Sequence, residues 1–445
     1  MSDEVPVFYE STLVGRIQAA EERLTFAYDP VWLARGSAFP LSVLMPLREG
    51  LIPADTLVPW LMNLLPEGNA LPVIGRNLGV APQDVLGLIT RVGRDTAGAL
   101  SFGGPRATNV SDYRPIPDEQ SLARIIAELP AKPFLAGEDG VSMSLAGAQE
   151  KLPVAMIDGK LAIPLNGAPS SHILKPNVAR LDGSVHNEAL CMVLAGMVGI
   201  NVAEVTTGKA ADRLYLLVKR YDRVERADRR LRLHQEDFCQ ALGKPPGAKY
   251  EHNQTGVKGP GIKDFFGLVR RHMQAGDILR LRDAIVLNVL LTNVDSHAKN
   301  YSLLLVGRSV TLAPLYDLMC GSVWPSVTQN MAQDIAKKNG GKYIAARHWR
   351  RMAEECGING TALVRRVSEL ANLVAAKVDE AADQVRRMPA GDHRTLKECV
   401  DAIKARCATA LANLVKNFPD TAAKTEDPPL PSDDDESGGV AGGHL

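Results

Sequence analysis

The segment LLTNVDSHAKNYSLLL carries an aspartate and an asparagine, Asp295 and Asn300, in the spacing D-x-x-x-x-N. An apolar run, AIVLNVLL, precedes them and YSLLLV follows. The first reads as a helix and the second as a strand, so both polar residues fall on a loop between packed elements. Phosphoryl transfer to a hydroxyl needs such a pair. The carboxylate accepts or orients the hydroxyl proton, and the asparagine five residues on holds a metal ion. Alone the spacing says little, because Asp and Asn are common in loops. A second carboxylate, Asp317, stands in LAPLYDLM just past another strand. Returned to the loop by a hairpin, it could hold Mg²⁺ between phosphates. Taken singly, Asp317 is better read as a helix N-cap.

A cation to meet the phosphates is present. Lys175 ends the strand pattern SHILKP, and Glu188 follows inside a helix pattern. A strand lysine held by a helix carboxylate is how a kinase aims an ammonium at the α- and β-phosphates. Upstream, VSMSLAGAQEKLPV places Ser144, Ala146, Gly147 and Ala148 before a strand, where small residues let backbone approach phosphates. The run is neither a Walker A loop nor G-x-G-x-x-G. His172 and His186 lie nearby without metal-ligand partners at useful spacing.

Several elements must position these residues. Residues 5 to 30 alternate apolar and polar and predict a small antiparallel sheet. Helices are expected over 54–65 and 82–91, the second with Pro82 near its start. After a polar connection containing SLARIIAEL come the strands KLPVAMID and KLAIPL, joined at Asp158-Gly159, and then SHILKP. A helix over 185–198 leads to the strands VAEVTTGK and RLYLLVKRY. From about 234 the pattern is mostly helical, except around YSLLLV and VTLAP. Strand-rich then helix-rich order indicates α+β. The segment RYDRVERADRRLRL reads as a solvated hairpin, with docking of an acidic or RNA-bound substrate as the alternative. Gln235, Glu236 and Asp237 read as buried hydrogen-bonding residues.

The chain has 445 residues, with 51 Lys+Arg against 51 Asp+Glu and 5% aromatics. Its length implies two or three domains. Balanced charge and few aromatics argue against holding nucleic acid by bulk electrostatics or base stacking. Between Glu426 and Glu436 the carboxylates outweigh Lys424, so the remaining body is modestly basic. The six cysteines form no C-x-x-C pair and are expected to be reduced and buried. No signal peptide and no membrane-length apolar run is evident, so a cytoplasmic protein is expected.

The strings SLAGAQEKL, HILKPN, HNEALCMVLAGMVGI, VKRYDR, LHQEDFCQALG, KYE, GPGI, NVDSHAKNYSLLL and LAPLYDL occur in the order found in the HipA family. Over roughly residues 5 to 415 the chain resembles these serine/threonine-protein kinase toxins of bacterial toxin–antitoxin pairs. The resemblance implies an α+β, two-lobed, protein-kinase-like fold of the phosphatidylinositol-kinase type. It would have an extra N-terminal subdomain (1–105), an N-lobe (106–220), a mostly helical C-lobe (221–418) and a disordered tail (419–445). It implies ATP and Mg²⁺ as cofactors. Ala146, Gly147, Ala148, Gln149, Glu150 and Lys151 match the phosphate loop, and Lys175 matches the ATP lysine, with Glu188 as its partner. Lys219, Arg220 and Tyr221 match the adenine hinge. Asp295 matches the catalytic base, and His297, Lys299, Asn300 and Tyr316 join the nucleotide set. Asn300 and Asp317 match the metal ligands. His297 is expected to support Asp295 rather than act as a base. Ser144, or Ser142, matches the family's autophosphorylated serine. The implied partners are a small helix-turn-helix antitoxin, DNA through that antitoxin, and a protein substrate such as an aminoacyl-tRNA synthetase, glutamyl-tRNA synthetase being the leading example. Two rivals stay open: a co-repressor whose kinase activity is secondary, and a small-molecule phosphotransferase.

Overall fold

The computed structural model describes residues 4–20, 23–105, 112–226 and 229–416. The expected tail, 419–445, lies outside the described residues. The N-terminal body contains β1 (Glu4–Tyr9), β2 (Thr12–Ala20), β3 (Arg23–Tyr28), α1 (Pro30–Leu33), β4 (Leu51–Ile52), α2 (Ala54–Met62), α3 (Ala70–Leu78), α4 (Val85–Val92) and β5 (Leu100–Phe102). Its five strands form an antiparallel sheet in the order β4-β3-β2-β1-β5. The helix expected over 82–91 starts later, at Val85. Asp84 accepts a hydrogen bond from the Gly87 N–H and caps it, leaving Pro82 outside.

Next come β6 (Tyr113–Pro115), α5 (Glu119–Glu128), β7 (Leu152–Ile157), β8 (Lys160–Pro164), β9 (His172–Pro176), α6 (Ser184–Met197), β10 (Val205–Ala210) and β11 (Arg213–Lys219). The strands form an antiparallel sheet in the order β10-β11-β9-β7-β8-β6. Asp158 and Gly159 both have positive φ (48° and 76°), as a two-residue hairpin between β7 and β8 requires. Both faces of this sheet are covered. Leu174 and Leu217 belong to the core of the N-terminal body, whereas Leu216 and Val218 belong to the core built around α6. Alternation along a strand therefore sends neighbouring residues into different cores.

The remaining elements are β12 (Arg223–Arg226), β13 (Arg229–Arg232), β14 (His234–Asp237), α7 (Phe238–Ala241), α8 (Ile262–His272), α9 (Ala275–Leu291), β15 (Ser302–Val306), β16 (Ser309–Leu312), α10 (Ala346–Glu355), α11 (Gly360–Arg386) and α12 (Arg394–Val415). The strand β14 was not expected from the sequence. It pairs with β15, which continues to β16. All six cysteines are buried and free. Among the described residues no helix is long and apolar enough to cross a membrane.

The segment RYDRVERADRRLRL forms a hairpin that is exposed at Glu225, Arg226 and Arg229, as expected, but its base is buried rather than solvated. Arg220, Arg223 and Arg232 are buried and converge on Asp95 of the N-terminal body. Arg223 and Arg232 donate to Asp95 Oδ1 at 2.8 and 3.1 Å, and Arg220 lies 3.6 Å from Oδ2. Ser170 donates to Oδ2 through both its N–H and its hydroxyl. Asp222 adds a second carboxylate, 2.8 Å from both Arg220 and Arg223. Burial opposes the Asp95 charge, but the three guanidinium groups outweigh it and hold the carboxyl far below its usual range. Replacing Asp95 with alanine leaves these cations buried without their shared partner. The expected loss is about 3–5 kcal/mol of unfolding free energy, measured by urea denaturation.

Candidate active site

Strand β9 places Ile173 and Lys175 on the face toward α6. There the Lys175 ammonium lies 2.8 Å from Glu188 Oε1 and 2.6 Å from Asp317 Oδ1. Burial disfavours its charge, but the two carboxylates reverse that and raise its pKa. Asp317 is not a helix cap. It has φ of 59°, and the next helical turn, Gly321–Val323, is preceded by Cys320 rather than by Asp317. Burial pushes its carboxyl up, yet Lys175 and then Lys151 bring it down to about 2. It is therefore an anion at neutral pH, and its side chain is 27% exposed.

The loop after α9 is tightly stitched. Thr292 ends the helix in the left-handed region (φ 58°) and accepts the Gly321 N–H at 3.1 Å, drawing in the chain that follows Asp317. The Asn288 amide reaches the Tyr301 hydroxyl at 2.8 Å, tying α9 to the start of β15. The Asn300 amide donates to the Asp295 carbonyl at 2.8 Å, and the His297 N–H donates to the same oxygen at 2.7 Å. Tyr250 donates a short hydrogen bond to Asp295 Oδ1. Burial pushes Asp295 up to about 7. The Asp317 charge adds to this, while the Tyr250 hydrogen bond opposes it.

The loop of small residues is held by the N-terminal body. The Gly147 carbonyl accepts the Glu67 N–H at 3.2 Å, and Ser144 donates its hydroxyl to the Leu64 carbonyl at 2.8 Å. Ser142 donates to the Arg91 carbonyl at 2.7 Å. Lys151 folds back onto the Ala146 carbonyl at 2.6 Å. Gly147 has φ of +99°, and a Cβ there would lie 2.7 Å from Lys151 Nζ. Only glycine fits that approach without strain. At the other end, Tyr221 and Tyr316 stack with ring centroids 5.8 Å apart. Ile173, Val218, Ala203 and Met319 make the wall apolar there. The cavity between these groups measures about 700 Å³.

A cleft with an apolar slot at one end, a lysine and two acidic loops at the other, and a glycine-containing loop above has the layout of a nucleotide-dependent phosphotransferase. Two family models match the chain: the HipA N-terminal domain over residues 5–103 and the HipA-like C-terminal domain over residues 143–385. The chain belongs to the HipA family. It is 39% identical over 396 residues to the putative kinase Y4mE of Sinorhizobium fredii, covering 86% of this chain and 91% of that one. It is 29% identical over 383 residues to the serine/threonine-protein kinase toxin HipA of Shewanella oneidensis, covering 83% and 87%. The HipA structure from the Shewanella oneidensis MR-1 complex of HipA, HipB and operator DNA superposes with a TM-score of 0.81 at 26% identity, covering 92% of this chain and 97% of that one. The two-lobed, kinase-like α+β fold is thus the HipA fold.

Within this HipA fold, Ala146, Gly147, Ala148, Gln149, Glu150, Lys151, Lys175, Glu188, Tyr221, Asp295, His297, Asn300, Tyr316 and Asp317 line one cavity. Lys219 and Arg220 also border it, but their side chains are engaged elsewhere. Lys219 pairs with Glu204 at 2.9 Å, and Arg220 joins the Asp95 cluster. The Lys299 ammonium is likewise occupied, at 2.6 Å from Asn63 Oδ1 and 2.8 Å from Asp237 Oδ2. The buried Glu236 accepts the Val43 N–H at 2.8 Å, as expected of a structural residue. Sequence reading missed Asn63, Glu67, Lys249 and Tyr250. The KYE string held the only signal, for the last two. Asn63 and Glu67 come from the N-terminal body, and no spacing rule links them to residue 299. Lys299→Met would leave Asp237 buried without its cation. The expected cost is about 3–5 kcal/mol of unfolding free energy, checked by guanidinium denaturation.

Proposed function

We propose that this HipA-family protein is an ATP-dependent protein serine/threonine kinase. The observation that carries the reading is the convergence of Lys175, Asp295, Asn300 and Asp317 on one cavity. Residues 1–105, 106–220 and 221–418 are taken as the N-terminal subdomain, the N-lobe and the C-lobe. The slot beside Tyr221 and Tyr316 receives the adenine, with the chain at Lys219 and Arg220 as its edge. Lys175, aimed by Glu188, holds the phosphates. The loop from Ala146 to Lys151 covers them, and Lys299 supports the site from behind through Asp237.

The donor set suits Mg²⁺. Nucleotide-bound Mg²⁺ takes one or two protein oxygens and leaves the rest to phosphates and water. The Asp317 carboxylate is charged and partly open to the cavity, and Asn300, which lines the same cavity, has an amide oxygen to offer. Bound there, Mg²⁺ neutralises charge that builds on the phosphates. Asp295, its pKa pushed up to about 7, takes the proton of the acceptor hydroxyl as that oxygen bonds the γ-phosphorus and the bond to the ADP oxygen breaks. His297 braces this loop. Its buried ring has its pKa lowered to about 3, first by burial and then by Lys249, so it stays neutral.

The family also supports a toxin role. The protein substrate is proposed to be an aminoacyl-tRNA synthetase, with glutamyl-tRNA synthetase the leading candidate. A small helix-turn-helix antitoxin is the proposed partner and provides the DNA contact, as HipB and operator DNA accompany the Shewanella protein. Autophosphorylation at Ser144 or Ser142 would place about −1.5 to −2 charges beside the phosphate loop and inactivate the enzyme. Both hydroxyls bond to the N-terminal body, so this modification requires residues 142–144 to leave it.

Two outcomes test this reading. Phosphoproteomes of cells expressing wild type or Asp295→Asn should differ at specific serines, including Ser144 or Ser142 of the chain itself. Transfer by the variant should be lower by about 10²- to 10⁴-fold. If no phosphosite depends on Asp295, the kinase reading fails. The second outcome concerns pH. Burial, then the nearby Lys175 charge, lowers the Lys151 ammonium to about 8. Above that pH the free enzyme carries a neutral amine, so ATP affinity should fall as pH rises through about 8. Lys151→Arg should remove this fall, because a guanidinium stays charged. Calorimetric titration of ATP across pH measures it.

A further inference from the structure

The KYE and GPGI strings meet behind the catalytic loop, and no step has yet been assigned to the Tyr250 hydrogen bond described above. The Tyr250 hydroxyl donates to Asp295 Oδ1, the only side-chain hydrogen bond to that carboxylate recorded among the described residues. The Tyr250 ring stands edge-on to His297, with centroids 5.0 Å apart and planes at 86°. The Lys249 carbonyl accepts the Ala298 N–H at 3.1 Å. Residues 249 and 250 thus grip the loop at positions 295, 297 and 298.

The grip is itself braced. Asn253 donates to the Tyr250 carbonyl at 3.0 Å, and Glu251 accepts the Asp334 N–H at 2.8 Å. The returning chain passes so close that a Cβ on Gly259 would lie 1.8 Å from the Tyr250 carbonyl oxygen. A Cβ on Gly261 would lie 2.7 Å from Glu251 Oε1. The two glycines of GPGI therefore let the chain close against KYE.

We infer that Tyr250 is a positioning residue for phosphoryl transfer: its hydroxyl fixes one oxygen of Asp295, leaving the other to take the proton of the acceptor hydroxyl. This rests on the kinase reading above. A carboxylate turns easily about its last torsion, and a single donor on one oxygen removes that freedom before the acceptor arrives. Burial, and then the Asp295 charge, raises the phenol pKa, so Tyr250 remains a donor at neutral pH. The bland alternative is a core tyrosine that satisfies its hydroxyl on the nearest carboxylate. It differs in what the missing hydroxyl affects, since a core tyrosine supports the fold and a positioning tyrosine supports turnover.

The experiment is steady-state ADP release from Mg·ATP by the full chain, which follows transfer to a serine or to water alike, with melting temperature measured in parallel. Tyr250→Phe keeps the ring against His297 and removes only the hydroxyl. It should lower kcat by about 10- to 100-fold, the scale of losing a hydrogen bond to a charged group. KM for ATP should stay within about twofold, because the nucleotide contacts lie elsewhere. Gly259→Ala, which must displace Tyr250, should lower kcat in the same direction; should it not fold, Tyr250→Phe decides alone. An unchanged kcat in Tyr250→Phe overturns the inference. So does a loss of kcat matched by a rise in KM or a lower melting temperature. If wild type itself shows no Asp295-dependent ADP release, the kinase reading falls first.

Discussion

The Asp95 carboxylate fixes how the two halves of the active site meet. It sits on the N-terminal body but lies among Arg220, Arg223 and Arg232 of the hinge and hairpin, and Ser170 at the edge of the central sheet. Its backbone does as much. The Asp95 N–H donates to the Ser142 carbonyl and its own carbonyl accepts the Ser144 N–H, both at 3.1 Å. One residue thus anchors the approach to the Gly147 loop and the chain at Arg220. Three cations and two carboxylates, Asp95 and Asp222, are buried together and balance to within one charge. Such a cluster is costly to desolvate and contributes modestly to net stability, but removing one member strands the others. It therefore specifies one arrangement of the bodies.

The same logic governs the cleft. Lys175 lies between Glu188, which is buried, and Asp317, which is partly open. The buried partner fixes the ammonium, and the open one faces the cavity. Lys299 plays a different part from the one its motif suggested. It neutralises Asp237 and reaches Asn63, joining the loop after α9 to the N-terminal body. That body is thus built into the site, through Asn63, Glu67 and the carbonyls that hold Ser142 and Ser144.

Local features were legible where local physics decides them. Alternation gave the sheet of residues 5 to 30, and the Asp158-Gly159 turn gave the β7–β8 hairpin. The spacings of Asp295 with Asn300 and of Lys175 with Glu188 pointed to one chemistry. The errors have physical reasons. Asp317 looked like a cap because Asp commonly caps helices, but its left-handed backbone turns it toward Lys175. The strand β14 was hidden because its four residues, HQED, are polar, and pairing with β15 rather than apolar pattern makes it a strand. The hairpin 223–232 looked solvated because its arginines alternate with acids. Only the fold brings Asp95 to them.

The sequence by itself determined the candidate reacting groups and the order of elements that carry them. Periodicity, turn chemistry and motif spacing are properties of neighbouring residues. It also carried, through strings such as AGAQEK and HAKN, a family identity that no single spacing could provide. Tertiary structure alone decided which buried charges neutralise each other, because such pairs lie far apart in the chain, as Glu67 and Lys299, 232 positions apart, do. It decided too that balanced overall charge conceals a cationic cluster held inside by two carboxylates. Desolvation makes partner choice strict in the interior, and that choice depends on distance in space, which a linear pattern does not record.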